Sequence, residues 1–217
     1  MLSARDGYAL WARSYGPETA VSALEDQTVR ALDLPSSRAL LDVGCGTARR
    51  TPGEPSALVV GVDLSPAMLA RAPADQLVAV ADACALPLRD GSFDRVWCRL
   101  MIGHIAAYST AYRELARVCA PGGLIVVSDF HPDAAAAGHR RTFRDANRVV
   151  HEVEHHVHPI SAQQSAARRH GLEVVTVCEA AVGPTIEHFY RDAGVLDAYE
   201  EQRGLPLVVV FVLRKPE

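Results

Sequence analysis

The chain alternates short apolar runs with capped, amphipathic segments. Residues 38–43, 57–62, 77–81, 93–98 and 123–128 predict strands, and 172–178 and 207–213 predict two more. Several of these runs are apolar on both faces, which suits a parallel sheet covered on both sides by helices. Between them lie predicted helices. Residues 18–33 carry Leu24, Val29 and Leu32 at near-helical spacing. Residues 65–72 open with Ser65 as a cap and Pro66 at the first helical position. Residues 109–119 begin at Ser109 and stop before Pro121-Gly122-Gly123. Residues 161–170 begin at Ser161 and stop at Gly171, a C-cap glycine. Tyr8, Trp11 and Tyr15 stand three and four apart, as on one helical face. Repeated strand–helix alternation predicts one doubly wound α/β domain over 1–217, with right-handed crossovers and a ligand beyond the carboxyl ends of the strands. Residues 1–35 read as a helical cap. Residues 130–160 fit the alternation least and read as a lid or substrate insert.

Composition narrows the class. The 217 residues are 49% hydrophobic and 22% charged, with net charge −4, so a folded domain is expected and no basic field for nucleic acid or membrane exists. The local clusters Arg140-Arg141-Arg144 and Arg168-Arg169 read as solvated faces. No apolar run approaches the ~18–20 residues of a membrane span, and residues 1–6 lack an apolar signal core. The five cysteines, Cys45, Cys84, Cys98, Cys119 and Cys178, are scattered and never spaced C-x-x-C. They read as thiols of a cytoplasmic protein and not as a disulfide or metal framework.

Three features carry chemistry. Asp42-Val43-Gly44-Cys45-Gly46-Thr47-Ala48 runs a strand into a glycine turn that lets a ligand approach the backbone. Alone, such a turn serves dinucleotides equally, or is simply a tight turn. Val59-Val60-Gly61-Val62-Asp63 then ends a strand in an acid able to accept both hydroxyls of a ribose. With Ser65 as the helix cap, Asp63 is expected to be free for that task. Asp82 ends the third strand, where it could accept from an adenine amino group. The run Asp90-Gly91-Ser92-Phe93-Asp94 leads into strand four, and Pro121-Gly122-Gly123 precedes strand five.

In this order and spacing, these segments resemble the class I S-adenosylmethionine (SAM)-dependent methyltransferases, and more narrowly the subgroup with the ubiquinone/menaquinone-biosynthesis and malonyl-carrier-protein enzymes. The resemblance is strong over about residues 36–130. It implies a Rossmann-like, seven-stranded, mostly parallel sheet with an antiparallel last strand at 207–213. It also implies SAM as cofactor, S-adenosylhomocysteine as product, and a small-molecule acceptor. It places Asp42, Gly44, Cys45 and Gly46 on the cofactor, the two glycines by its methionine part, with Asp63 on the ribose. Leu64 and Met68 would border the adenine, and Asp82 with Ala83 would meet its amino group. Arg99, Leu100 and Met101 would sit by the sulfonium and substrate, and Tyr8 or Tyr15 would close the pocket. Two departures stand out: Ala48 replaces the family's third glycine, and Pro52, Gly53 and Pro55 predict a short or irregular helix after the loop. Against a nicotinamide enzyme, Arg49 occupies the position of the third glycine of G-x-G-x-x-G.

The acceptor side is less specified. An oxygen or carbon acceptor needs a base, and His104 and His131 both follow strand ends facing the cofactor. His131, with Asp129 two residues earlier, is the better candidate; His104 equally suits packing against the next helix. The tract His151–His158 contains H-E-x-x-H, but its alternation is a strand period, which puts His151 and His155 ~13 Å apart, too far for one metal. A β-ribbon with some histidines, such as His155, facing the acceptor is expected, and no metal. Alternatives are a SAM-binding protein that does not methylate or supports a cyclisation, and a nucleic-acid or protein methyltransferase. Cys98-Arg99-Leu100-Met101 lacks the Asp/Asn-Pro-Pro-aromatic element of amino-group DNA methyltransferases. The sequence leaves a homodimer open.

Overall fold

The structure is a computed structural model that describes residues 1–16, 18–50 and 58–217. Its strands are β1 (Ala39–Val43), β2 (Leu58–Asp63), β3 (Leu77–Val80), β4 (Phe93–Arg99), β5 (Cys119–Phe130), β6 (Thr142–Arg144), β7 (Val150–Glu152), β8 (Glu173–Ala181) and β9 (Pro206–Arg214). Seven form one sheet in the order β3-β2-β1-β4-β5-β9-β8, and β6 pairs with β7 in a separate ribbon. Strands β1 to β5 pair parallel, and β9 enters antiparallel between β5 and β8. This is the expected Rossmann-like sheet with its reversed last strand. The order turns back between β1 and β4, so their carboxyl ends frame the switch-point crevice.

The helices are α1 (Ala4–Trp11), α2 (Ala20–Arg30), α3 (Pro66–Leu69), α4 (Tyr108–Val118), α5 (Pro132–Ala136), α6 (Ile160–Arg169), α7 (Glu187–Asp192) and α8 (Leu196–Gln202). Strand residues alternate between two cores. Leu41, Val43, Val96, Cys98, Ile125 and Val127 face α4 and α6, whereas Leu40, Trp97, Val126, Val208 and Val210 face α2, α7 and α8. Full burial of a leucine such as Leu40 contributes about 1.5–3 kcal/mol, so both sheet faces carry the stability.

Local signals held in part. Ser65 caps α3 with Pro66 behind it, yet the helix is four residues long and not eight. Gly171, at φ +76°, ends α6 as expected, but the N-cap position is Pro159 and Ser161 lies inside the helix. Strand β5 begins at Cys119, earlier than predicted, because Pro121-Gly122-Gly123 is absorbed as a bulge. Its pairing jumps from Phe93–Cys119 to Arg95–Leu124. The predicted irregular helix containing Pro52, Gly53 and Pro55 lies outside the described residues, as does Ala57 of the second predicted strand. Among the described residues no helix is long and apolar enough to cross a membrane.

The start of the predicted cap, residues 1–16, meets the segment 130–160 that fits the alternation least. The amide of Leu2 donates to Glu152 and the amide of Glu154 donates back to Leu2, both at 2.8 Å, so the N-terminus extends the ribbon. A Cβ at Gly7 would lie 2.9 Å from Val153, so α1 reaches the ribbon this closely because that residue has no side chain. Trp11 stacks on Phe143 with centroids 4.9 Å apart.

Candidate functional site

One cleft opens over the carboxyl ends of β1, β2 and β4 and is roofed by α1. Its floor is the turn after β1. The amides of Gly44 and Cys45 both donate to the Val62 carbonyl (2.7 and 3.1 Å), which ties the turn to β2. Gly44 (φ +78°), Gly46 (φ +59°) and Ala48 (φ +55°) all take the left-handed conformation. A side chain at Gly44 would collide with Met101, so that position demands glycine twice over. At Ala48 the departure from glycine is accommodated with strain of about 1–2 kcal/mol.

Asp63 is less free than its sequence context implied. Its carboxylate accepts from the Gly46 amide at 2.9 Å and from the Ser65 amide at 2.8 Å. It therefore latches the turn as well as facing the cleft, and its remaining lone pairs stay available to a ligand. Burial raises its pKa, and the two amides oppose that rise. Asp82 lies past β3, where Oδ1 accepts from the Cys84 amide at 2.8 Å in a local turn beside Ala83. Leu64 forms an exposed rim, and Met68 is buried beneath Gly46, its Cε 3.2 Å from where a Cβ would stand. Cys45 also lines the cleft; burial, with Asp42 and Asp63, pushes its thiol up, so it is not a nucleophile. Asp42 is buried at the end of β1 and does not line the cleft.

The structure revises the role of Arg99. Its guanidinium is committed to α2. Nε donates to Glu25 Oε1 at 2.8 Å, and Nη2 donates to Glu25 Oε2 at 2.7 Å and to Asp26 at 2.9 Å. Burial would lower its pKa, but these carboxylates more than offset that and hold the charge. Glu25, with 0% exposure, also accepts from Arg50 (2.9 Å) and from the Ser128 hydroxyl (2.7 Å). This knot ties the cap helix to β4, β5 and the turn, and the sequence reading missed it. Next to it, Leu100 takes φ +53°, with its amide shared between the Ser128 hydroxyl and carbonyl. A leucine there is strained, and such strain persists only where the surroundings fix it.

The wall formed by residues 8–15 is aromatic. Tyr8 lies over Trp11 (5.5 Å), Trp11 meets Tyr15 edge-on (4.9 Å), and all three line the cleft. Tyr15 lies beyond the end of α1, not on its face. The Tyr8 hydroxyl lies 2.9 Å from His104 Nε2, and His104 Nδ1 lies 2.9 Å from the Glu154 carbonyl. A carbonyl only accepts, so Nδ1 carries the proton and Nε2 accepts from Tyr8. Burial, helped by the positive Arg141, pushes His104 down to about 3, so the imidazole is neutral. Burial pushes Tyr8 up to about 12, although Arg141 pulls the other way.

The other two predicted histidines do not reach the cleft. His131 caps α5, accepting from the Asp133 amide at 3.0 Å, while Nε2 lies 3.1 Å from Glu179 on β8. Both ring nitrogens are thereby engaged on the β8 side of the sheet end. His155 is partly buried beside His104, with Nε2 3.5 Å from Asp129 and its ring in space that a Cβ at Gly103 would fill. His151 faces Asp145 at 2.9 Å. The ribbon is the expected one but ends at Glu152, before the remaining histidines.

One cleft residue reverses an expectation. Arg140 and Arg144 are exposed, but Arg141 turns inward. It lines the cleft, donates to the Leu100 carbonyl at 3.1 Å and lies 5.9 Å from the Phe130 ring. Its Nε is buried without a partner among the described residues. A buried donor left so costs about 1–3 kcal/mol.

Residues 41–127 match the family described as "Methyltransferase domain". A demethylmenaquinone methyltransferase of Thermus thermophilus is 41% identical over 125 residues, covering 50% of this chain and 56% of that protein. The 27-O-demethylrifamycin SV methyltransferase of Amycolatopsis mediterranei is 33% identical over 144 residues, covering 61% and 52%. The chain thus spans about half the length of the curated relatives it matches. The crystal structure of an S-adenosylmethionine dependent methyltransferase from Mesorhizobium loti shares the fold, with TM-score 0.67 and 24% identity over 90% of this chain and 99% of that one.

Proposed function

We propose that this chain, which carries a class I SAM-dependent methyltransferase domain, methylates a small molecule held between α1 and the segment from Arg141 to Glu154. The cofactor half of the cleft suits SAM. The glycine turn leaves bare backbone for its methionine end, Asp63 faces the cleft with lone pairs for two hydroxyls, and Asp82 with Ala83 stands where an adenine edge would lie. Bound there, SAM supplies an electrophilic methyl group on a sulfonium.

The chain's own residues hold the acceptor and exclude water. Tyr8, Trp11 and Tyr15 offer flat apolar faces that suit an acceptor with an aromatic or other flat apolar body. Tyr8 donates to neutral His104, and the pair forms a polar edge among the aromatic faces. The observation that carries this reading is one cleft lined both by the glycine turn with Asp63 and by Tyr8, Trp11 and Tyr15. The test is S-adenosylhomocysteine formation from SAM across a panel of hydroxyaromatic and carboxylate acceptors. Acceptor-dependent product that disappears in Asp63→Ala is expected. Tight SAM binding with no turnover on any acceptor would favour a non-methylating role.

A further inference from the structure

We infer that the acceptor is an oxyanion, a carboxylate or an acidic enol or phenol, bound by Arg141; this rests on the methyltransferase reading above. Three observations converge. Arg141 enters the cleft from the segment between α5 and β6, anchored where its own carbonyl accepts from the Val153 amide at 2.8 Å. Its side chain spends one donor on the Leu100 carbonyl and keeps Nε buried and unmet among the described residues. No carboxylate among the described residues forms an ion pair with it, whereas the cleft's other deeply placed arginines, Arg50 and Arg99, are paired with Glu25. A guanidinium presents a planar fork of donors matched to a carboxylate or similar oxyanion, and one that lines a cleft without a carboxylate partner is a recognition element.

The rest of the acceptor side agrees. An acceptor that arrives as an anion needs no base, and the chain offers little base strength: His104 is held far below ordinary histidine basicity by burial and by Arg141 itself. The same positive charge that weakens His104 stabilises an anion in its place. The methionine end of the cofactor belongs at the glycine turn, where Arg49 lies against the Tyr15 ring at 5.5 Å, so Arg141 is left for the acceptor.

The test titrates matched carboxylates and primary amides, benzoate against benzamide and several aliphatic pairs, into the protein saturated with S-adenosylhomocysteine. The carboxylates should bind about tenfold more tightly in the wild type, and Arg141→Gln should remove that preference. Arg141→Lys should restore part of it, since the charge returns without the fork. S-adenosylhomocysteine affinity should stay within about threefold in both variants. Failure of the wild type to bind S-adenosylhomocysteine would sink the methyltransferase reading instead. A wild type indifferent to charge, or a preference that survives in Arg141→Gln, would overturn the inference. So would a large loss of S-adenosylhomocysteine affinity in a folded Arg141→Gln, which would assign the arginine to the cofactor.

Discussion

The two halves of the cleft are made of different material. The half we assign to the cofactor is backbone: a turn with three left-handed residues, two amides on the Val62 carbonyl, and an acid that latches the turn through Gly46. The half we assign to the acceptor is side chains: three aromatics from residues 8–15, His104, and an arginine reaching in from residue 141. Backbone geometry is insensitive to most substitutions, so the first half stays generic. Side chains change one at a time, so on the proposed function the second half sets which molecule is bound. Few backbone bonds, such as Leu2 to Glu152 and His156 to Gly103, hold the second half in place.

The strongest way to break this division is at Glu25, which underlies both halves. Glu25→Ala strips buried Arg99 of its bidentate partner, leaving only Asp26, and should destabilise the fold by about 3 kcal/mol, read by urea denaturation. Next, Asp63→Ala removes a charged acceptor from the cofactor and unlatches the turn. S-adenosylhomocysteine affinity should fall by about 100-fold in calorimetry, while Tyr8→Phe should change it by less than about threefold. Equal losses in the two variants would erase the distinction between the halves.

A pH titration sharpens it further. His104 has its pKa lowered to about 3 by burial and Arg141, so the unfolded chain takes up a proton that the folded chain refuses. Its contribution to stability is complete above the ordinary histidine range and is lost as pH falls through about 6.5 towards 3. His104→Gln should reduce the slope of stability against pH in that window, by up to about 1.4 kcal/mol per unit. An unchanged slope would mean the imidazole is accessible to protons in the folded state. The smallest effect lies in the backbone half: Ala48→Gly relieves a left-handed alanine and should add about 1 kcal/mol.

The division also explains what could be read from the chain. Glycine turns and acid-ended strands are local patterns, so the sheet and most of the cofactor side were legible. His104 and His131 have equivalent local contexts, each just past a strand end. They part because residues 102–104 turn beneath α1 while His131 opens α5 towards β8. His155 was expected in the acceptor wall, but the ribbon ends before it and the glycine at 103 admits its ring behind the wall. Arg141 sits among surface arginines, and no periodicity distinguishes the one that turns inward. Asp63 reads as free because Ser65 reads as the cap, and a bond to an amide 17 residues earlier has no local signature.

The Glu25 knot has a consequence for the order of folding. Its carboxylate joins Arg50, Arg99 and Ser128, which lie 25, 74 and 103 residues further along the chain. Closing such loops is entropically costly until the sheet that carries the partners exists. The cap helix is therefore a late arrival. Substitutions at Glu25 should speed unfolding and leave the folding rate almost untouched, which marks the helix as the first element to leave when the native structure opens.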